Sequence, residues 1–198
     1  MEYSASMVST LLWWSETQQT AQLLQEGKTI KDIRRLARDE NLFNVRSTDR
    51  QQRIAGVTYK RVQALPPSMA AYLAAADFRT AKVLVVISVM LTERIFKECC
   101  EEVFFPAITD QTFVVTDEAI ATFINRKMTQ SPKVAGFSDA ALKKLKQTCI
   151  KFLYDGGLLG STKKPRPIVK PIVAGDFLDQ CRKNGLLSYY QILMGSTL

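Results

Sequence analysis

The sequence predicts a mainly α-helical protein: an N-terminal helix-turn-helix-like bundle, an apolar helical middle, and a C-terminal winged helix with a small β-hairpin. Three observations predict it. Residues 28–65 read as two amphipathic helices joined by a short turn. Val83–Leu91 is apolar throughout, bounded by Lys82 and Glu93. Residues 138–173 order a helix, a Gly-Gly stop, a short strand, a basic loop and a second short strand. The boundaries that follow are 1–66 for the first unit, 67–113 for the helical connector and 114–198 for the last.

Each element has a local reason. Residues 7–26 read as a first helix, with Leu11, Leu12, Trp14, Leu23 and Leu24 available for packing and Gly27 as its stop. Trp13 and Trp14 could stack on bases, but large aromatics beside two leucines read as core. Thr29, with Asp32 three residues on, caps a second helix that ends near Glu40–Asn41. Leu42 and Phe43 plug the turn. Ser47 or Thr48 caps a third helix, which runs to about Leu65 and is closed by Pro66–Pro67. Residues 68–105 read as core helices, with Phe105–Phe113 as a linker. Glu98, Glu101 and Glu102 share a helix surface and read as a solvated acidic face. Thr116 or Asp117 and then Ser138 cap the helices of the last unit, with TQSPKVAGF as the loop between them. The tail starts as a helix ending at Asn184–Gly185, and LLSYYQILM fits a strand or a helix.

Composition narrows the function. At 198 residues and 46% hydrophobic, the chain can bury a core. There is no histidine, which removes histidine bases, Ser-His-Asp and Cys-His machinery and every His-containing zinc site. The four cysteines form no C-x-x-C pair, so no structural zinc is expected, and free thiols suit a reducing cytoplasm. No P-loop and no Gly-x-Gly-x-x-Gly pattern is present, so neither an enzyme nor a cofactor is expected. The apolar run at 83–91 is far short of the ~20 residues a bilayer requires, and the N-terminus has no basic n-region.

What remains is ordered positive charge. Residues 28–65 hold ten Lys/Arg against four acids, +6 of the chain's formal +8. Lys31, Arg34, Arg35 and Arg38 fall within one arc of their helix, opposite Ile30, Ile33, Leu36 and Ala37. The following helix adds Arg46, Arg50, Arg53 and Lys60, with Thr48 and Gln51 also placed to meet a groove; Arg61 lies at the edge of the apolar stripe and reads as structural. In the last unit Lys143, Lys144 and Lys151 share an arc away from the buried stripe, and Lys163, Lys164 and Arg166 form the tip of the basic loop. A row of cations opposite a packing face suits a polyanion; the plainer alternative is a solvated basic surface.

The stretches AQLLQEGKTIKDIRRLARDENLF, STDRQQRIAGVTYKRVQAL, VLVVISVMLTERIF and LKQTCIKFLYDGGLL together resemble the BrxA family of bacterial BREX phage-defence systems, over about Thr20–Gly157. The resemblance implies a non-catalytic, double-stranded-DNA-binding protein with an N-terminal helix-turn-helix and a C-terminal winged helix. It implies neighbours in the same system: a methyltransferase, a phosphatase-like protein and ATPases. It also leaves two alternatives, an RNA-binding module like the antitermination protein NusB and a transcriptional regulator. Basic stretches with few aromatics argue against single-strand recognition, which relies on stacking.

Overall fold

The structure is a computed structural model that describes residues 2–195; Met1 and residues 196–198, at the outer ends of the first and last expected units, lie outside the described residues. The protein is mainly helical. A 3-10 turn at Ser6–Ser9 precedes α1, Trp14–Gln25. The single helix expected over 7–26 is therefore not formed. Trp13 takes a left-handed backbone (φ 46°), costly for a bulky residue, and its ring is buried in return. Leu12 is buried, but Leu11, expected to pack, is exposed.

The second helix, α2 (Ile30–Asp39), starts with a full capping box: the Thr29 hydroxyl accepts from the Asp32 N–H, and the Asp32 carboxylate accepts from the Thr29 N–H. The turn after it uses two left-handed asparagines, Asn41 and Asn44, and buries Phe43. Ser47 caps α3, Thr48–Gln63. Gln51, expected at the groove-facing end of this helix, is buried. Its amide accepts from the Phe43 N–H at 3.1 Å and donates to the Val45 carbonyl at 3.1 Å and to Asn41, which fixes the turn. Pro66–Pro67 ends the pair and opens α4, Pro67–Ala75.

Asp77 caps α5, Phe78–Thr92, whose residues Val83–Met90 have no exposed surface. Burying each large aliphatic side chain there contributes roughly 1.5–3 kcal/mol before entropy is counted. No helix among the described residues is long and apolar enough to cross a membrane. Helix α6, Arg94–Cys99, runs through a π turn at Cys100–Phe104 into α7, Phe105–Thr109. The linker expected at 105–113 is thus helical for its first half. After it come α8 (Asp117–Gln130), a one-turn α9 (Pro132–Ala135) where a loop was expected, and α10 (Asp139–Asp155). The tail forms α11 (Phe177–Lys183) and α12 (Leu187–Met194), so LLSYYQILM is a helix.

β-structure among the described residues is confined to two isolated antiparallel bridges, Val114 with Pro167 and Leu159 with Ile168. Main-chain bonds place 166–169 between two neighbours: Val115 and Ile168 exchange with Arg166 and Phe113 on one side, Gly160 and Val169 with Pro167 and Leu158 on the other.

One core runs through the molecule, from Met7 and Leu12 through α5, Phe96 and Phe104 to Phe123, Phe152, Phe177 and Met194. A smaller cluster of Trp13, Ile33, Ala37, Phe43, Ile54 and Ala55 lies under α2 and α3. The acidic face on α6 is not solvated. Lys127 of α8, itself buried, bridges Glu98 at 2.7 Å and Glu102 at 2.6 Å, while Tyr3 and Arg94 also donate to Glu98. This network ties α8 to the middle of the chain.

Candidate nucleic-acid interface

Two helix faces and one loop carry the candidate residues. On α2, Ile33 and Ala37 point into the small core, and this turns Lys31, Arg34, Arg35 and Arg38 outward; all four are exposed. On and before α3, Ile54, Ala55 and Thr58 face inward and leave Arg46, Arg50, Arg53 and Lys60 exposed. The two helices meet where Gln52 donates to the Arg34 carbonyl at 2.8 Å, beside Gly56. A Cβ added to Gly56 would lie 3.8 Å from the Arg34 guanidinium, an ordinary contact, so this group lies over the helix pair without requiring the glycine. Arg61 is structural, as its position in the stripe suggests. It is buried, donates to the carbonyls of Leu11 and Leu12, and lies 5.7 Å from the Phe152 ring centroid. Burial lowers its pKa to about 10, where it remains a cation at neutral pH.

The second surface is built on α10. Leu145, Cys149, Phe152 and Leu153 are buried, and Lys143, Lys144 and Lys151 are exposed. Lys163 and Lys164 are exposed on the loop that follows. Arg166 is not at an exposed tip. It is buried, paired with Asp117 at 3.0 Å, and donates to the Thr162 carbonyl at 3.0 Å and the Val115 carbonyl at 3.4 Å. It folds the loop back onto the start of α8. Asp117 also takes Lys164 at 2.9 Å and Lys146 at 3.2 Å. The Lys164 hydrogen bond, with help from Lys146 and Arg166, holds its carboxyl well below the usual range.

Between α10 and this loop lies a cleft of about 550 Å³, lined by Lys143, Lys146, Gln147, Lys151, Thr162 and Arg166, with Asp117 as its one acid. Lys146, Gln147 and Thr162 were not singled out by the sequence reading as contacts. Lys146 falls between the buried and exposed stripes of α10, and Thr162 is brought in only by the loop's fold.

Ion pairing separates the fourteen candidates. Arg38, Lys60, Lys151, Lys164 and Arg166 have carboxylate partners within 4 Å. Among the described residues, no salt bridge engages Lys31, Arg34, Arg35, Arg46, Arg50, Arg53, Lys143, Lys144 or Lys163. No group of three or more Cys, Asp or Glu among the described residues is placed to hold a metal ion.

Fold and surface together define a mainly helical protein with cationic helix faces over two packed clusters. The family model described as BrxA matches residues 1–185, and the chain belongs to that family. A protein described as "BREX protein BrxA" from Bacillus cereus (strain H3081.97) is 30% identical over 193 residues, spanning 98% of this chain and 96% of that protein. The fold is shared with a crystal structure of an uncharacterized protein from Magnetospirillum magneticum, with a TM-score of 0.79, 17% identity, and coverage of 99% of this chain and 100% of that one. None of these favours the antitermination-like alternative.

Proposed function

We propose that this chain is a DNA-binding, non-catalytic component of a BREX phage-defence system, acting beside the other proteins of that system. The observation that carries the reading is the set of nine exposed cations that no carboxylate among the described residues engages: five on α2 and α3, Arg46 in the turn between them, and three on α10 and its loop. On α6 and α8, by contrast, the cations are paired with glutamates. Unpaired cations facing water in an ordered row favour a polyanion, because they neutralise phosphates without first breaking a salt bridge.

The last unit supports duplex DNA in particular. Its order is helix, short extended segment at 113–115, α8, α10, then the two extended arms of the 158–169 loop, with the first segment paired to the last arm. We read this order, with the single turn α9 between α8 and α10, as a winged helix cut down to single bridges, in which α10 would take the place of the helix that enters the major groove. Gln51 and Arg166 are left out of the contact set, since both hold loops in place.

The test is a salt-titrated binding assay on duplex DNA. With about 6–8 phosphates neutralised, affinity should fall by roughly three to four decades between 50 and 200 mM salt. Reversing Arg34, Arg35 and Arg50 to Glu should weaken binding and flatten that slope while the melting curve stays put. Binding that ignores salt would sink the proposal. A strong preference for one sequence over random DNA would instead mark a regulator.

A further inference from the structure

Among the described residues six large apolar side chains are exposed, and five of them gather on one face: Leu11, Phe78, Tyr154, Val169 and Ile172. They line two neighbouring depressions of about 490 and 330 Å³ that share Lys82. Three aromatic rings on this face come from three different helices: half-buried Trp14 opens α1, Phe78 opens α5, and Tyr154 lies near the end of α10.

Each ring carries a cation. The Lys82 ammonium is 5.3 Å from the Trp14 ring centroid and 5.7 Å from that of Phe78. The Arg79 guanidinium is 5.4 Å from Phe78, and the Lys151 ammonium is 5.3 Å from Tyr154. Lys151 also lines the cleft beside α10. The aromatic strip therefore begins where that cleft ends.

We propose that this strip binds single-stranded DNA continuing from a duplex held at α10. Bases stack on Tyr154, Trp14 and Phe78, and phosphates are taken by Lys82, Arg79 and Lys170. Stacking platforms interleaved with cations are how proteins hold unpaired strands, and stacking tolerates any base. Charge supports this occupant. The depression around Phe78 is lined by Arg79, Lys82 and Lys170 and by no acid. Of the two acids lining the depression around Trp14 and Tyr154, Asp155 is neutralised by Lys151 at 2.6 Å, while the Glu16 carboxylate keeps its charge and, among the described residues, accepts only the Ser15 hydroxyl, so the strand's phosphates run on the Lys82 and Arg79 side. The strip depends on the duplex reading only for its starting point.

The test compares three labelled probes by fluorescence anisotropy: a blunt duplex, the same duplex with a tail of about ten thymidines, and the oligothymidine alone. The tail should tighten binding roughly tenfold or more and quench the fluorescence of Trp14. Phe78→Ala with Tyr154→Ala should abolish that gain and leave blunt-duplex affinity unchanged. Both side chains are more than two-fifths exposed, so the double variant keeps its melting temperature. Equal affinity for tailed and blunt probes overturns the proposal and leaves the face to a protein partner. So does a tail gain that survives in the double variant. Oligothymidine and tail binding without blunt-duplex binding would sink the duplex reading alone, while blunt-duplex binding with no tail effect would sink only the strip.

Discussion

Arg61 shows how little a residue's charge says about its role. It belongs to the most basic stretch of the chain, yet its guanidinium is spent on two backbone carbonyls and an aromatic ring. Arg166 repeats the pattern on the other side. In both, burial converts a cation into a clip between segments. Periodicity flags Arg61, because it lies on the apolar stripe of α3. No periodicity exists in the irregular loop around Arg166, so its inward course is set by Asp117 and invisible beforehand. Gly156 is the sharpest test at this scale. A Cβ there would lie 2.5 Å from Val86 Cγ2 and 3.0 Å from the Phe152 carbonyl oxygen, both in the fully packed core. Gly156→Ala should cost about 1–3 kcal/mol of stability, read from denaturant unfolding. An unchanged midpoint would mean that α5 and α10 pack less tightly than described.

At the scale of elements, α8 depends on a buried charge. Lys127 gives its proton bonds to Glu98 and Glu102. Burial opposes its charge, but the Glu102 and Glu98 hydrogen bonds outweigh it, and its pKa is raised. Burial likewise pushes the Glu98 carboxyl up, and the bonds from Lys127, Arg94 and Tyr3 more than reverse that, leaving it lowered. The signs then fix a window. The lowered Glu98 stabilises the fold above the ordinary carboxylate range and loses that contribution as pH falls through its folded value. The raised Lys127 stabilises below the ordinary lysine range and loses its contribution as pH rises through its folded value. The melting temperature should hold between those ranges and drop on both sides. Lys127→Ala should lower stability by roughly 1–3 kcal/mol at neutral pH, because it removes two charge-assisted hydrogen bonds while Arg94 and Tyr3 still hold Glu98 and Arg126 still holds Glu102. Such a dependence was hidden in the sequence. The glutamates are 25 or more residues from Lys127 in the chain, and a row of acids on one helix reads as solvent-facing until its partner is placed. By contrast α2 and α3 were legible nearly to the residue, since caps and apolar period agree there. The start of α1 was not, because a left-handed tryptophan has no local signature.

Across the whole molecule the α10 surface stands on the large core, which includes α1, α3, α5, α8, α10 and both tail helices, and the α2–α3 surface stands on the small cluster that α3 and Leu24 join to it. Heating should therefore produce one transition by circular dichroism and by tryptophan fluorescence alike, with coincident midpoints. Two separated midpoints would mean that the small cluster under α2 and α3 opens on its own. The same scale explains why the aromatic strip escaped the sequence. Trp14 sits in a Trp-Trp pair that reads as core beside two leucines, Phe78 and Tyr154 lie far from it in the sequence, and only the crossing of three helices brings the three rings together.

The strap at the start of the chain has a consequence for synthesis. Tyr3 reaches Glu98, Met7 is buried against the core, and the carbonyls of Leu11 and Leu12 are held by an arginine lying on Phe152. These residues leave the ribosome well before Phe152 of α10, which follows more than a hundred residues later. The Leu11 and Leu12 carbonyls can meet Arg61 about fifty residues on and Tyr3 can meet Glu98 95 residues on, but Arg61 gains its aromatic floor only when α10 arrives, so the opening segment docks in stages.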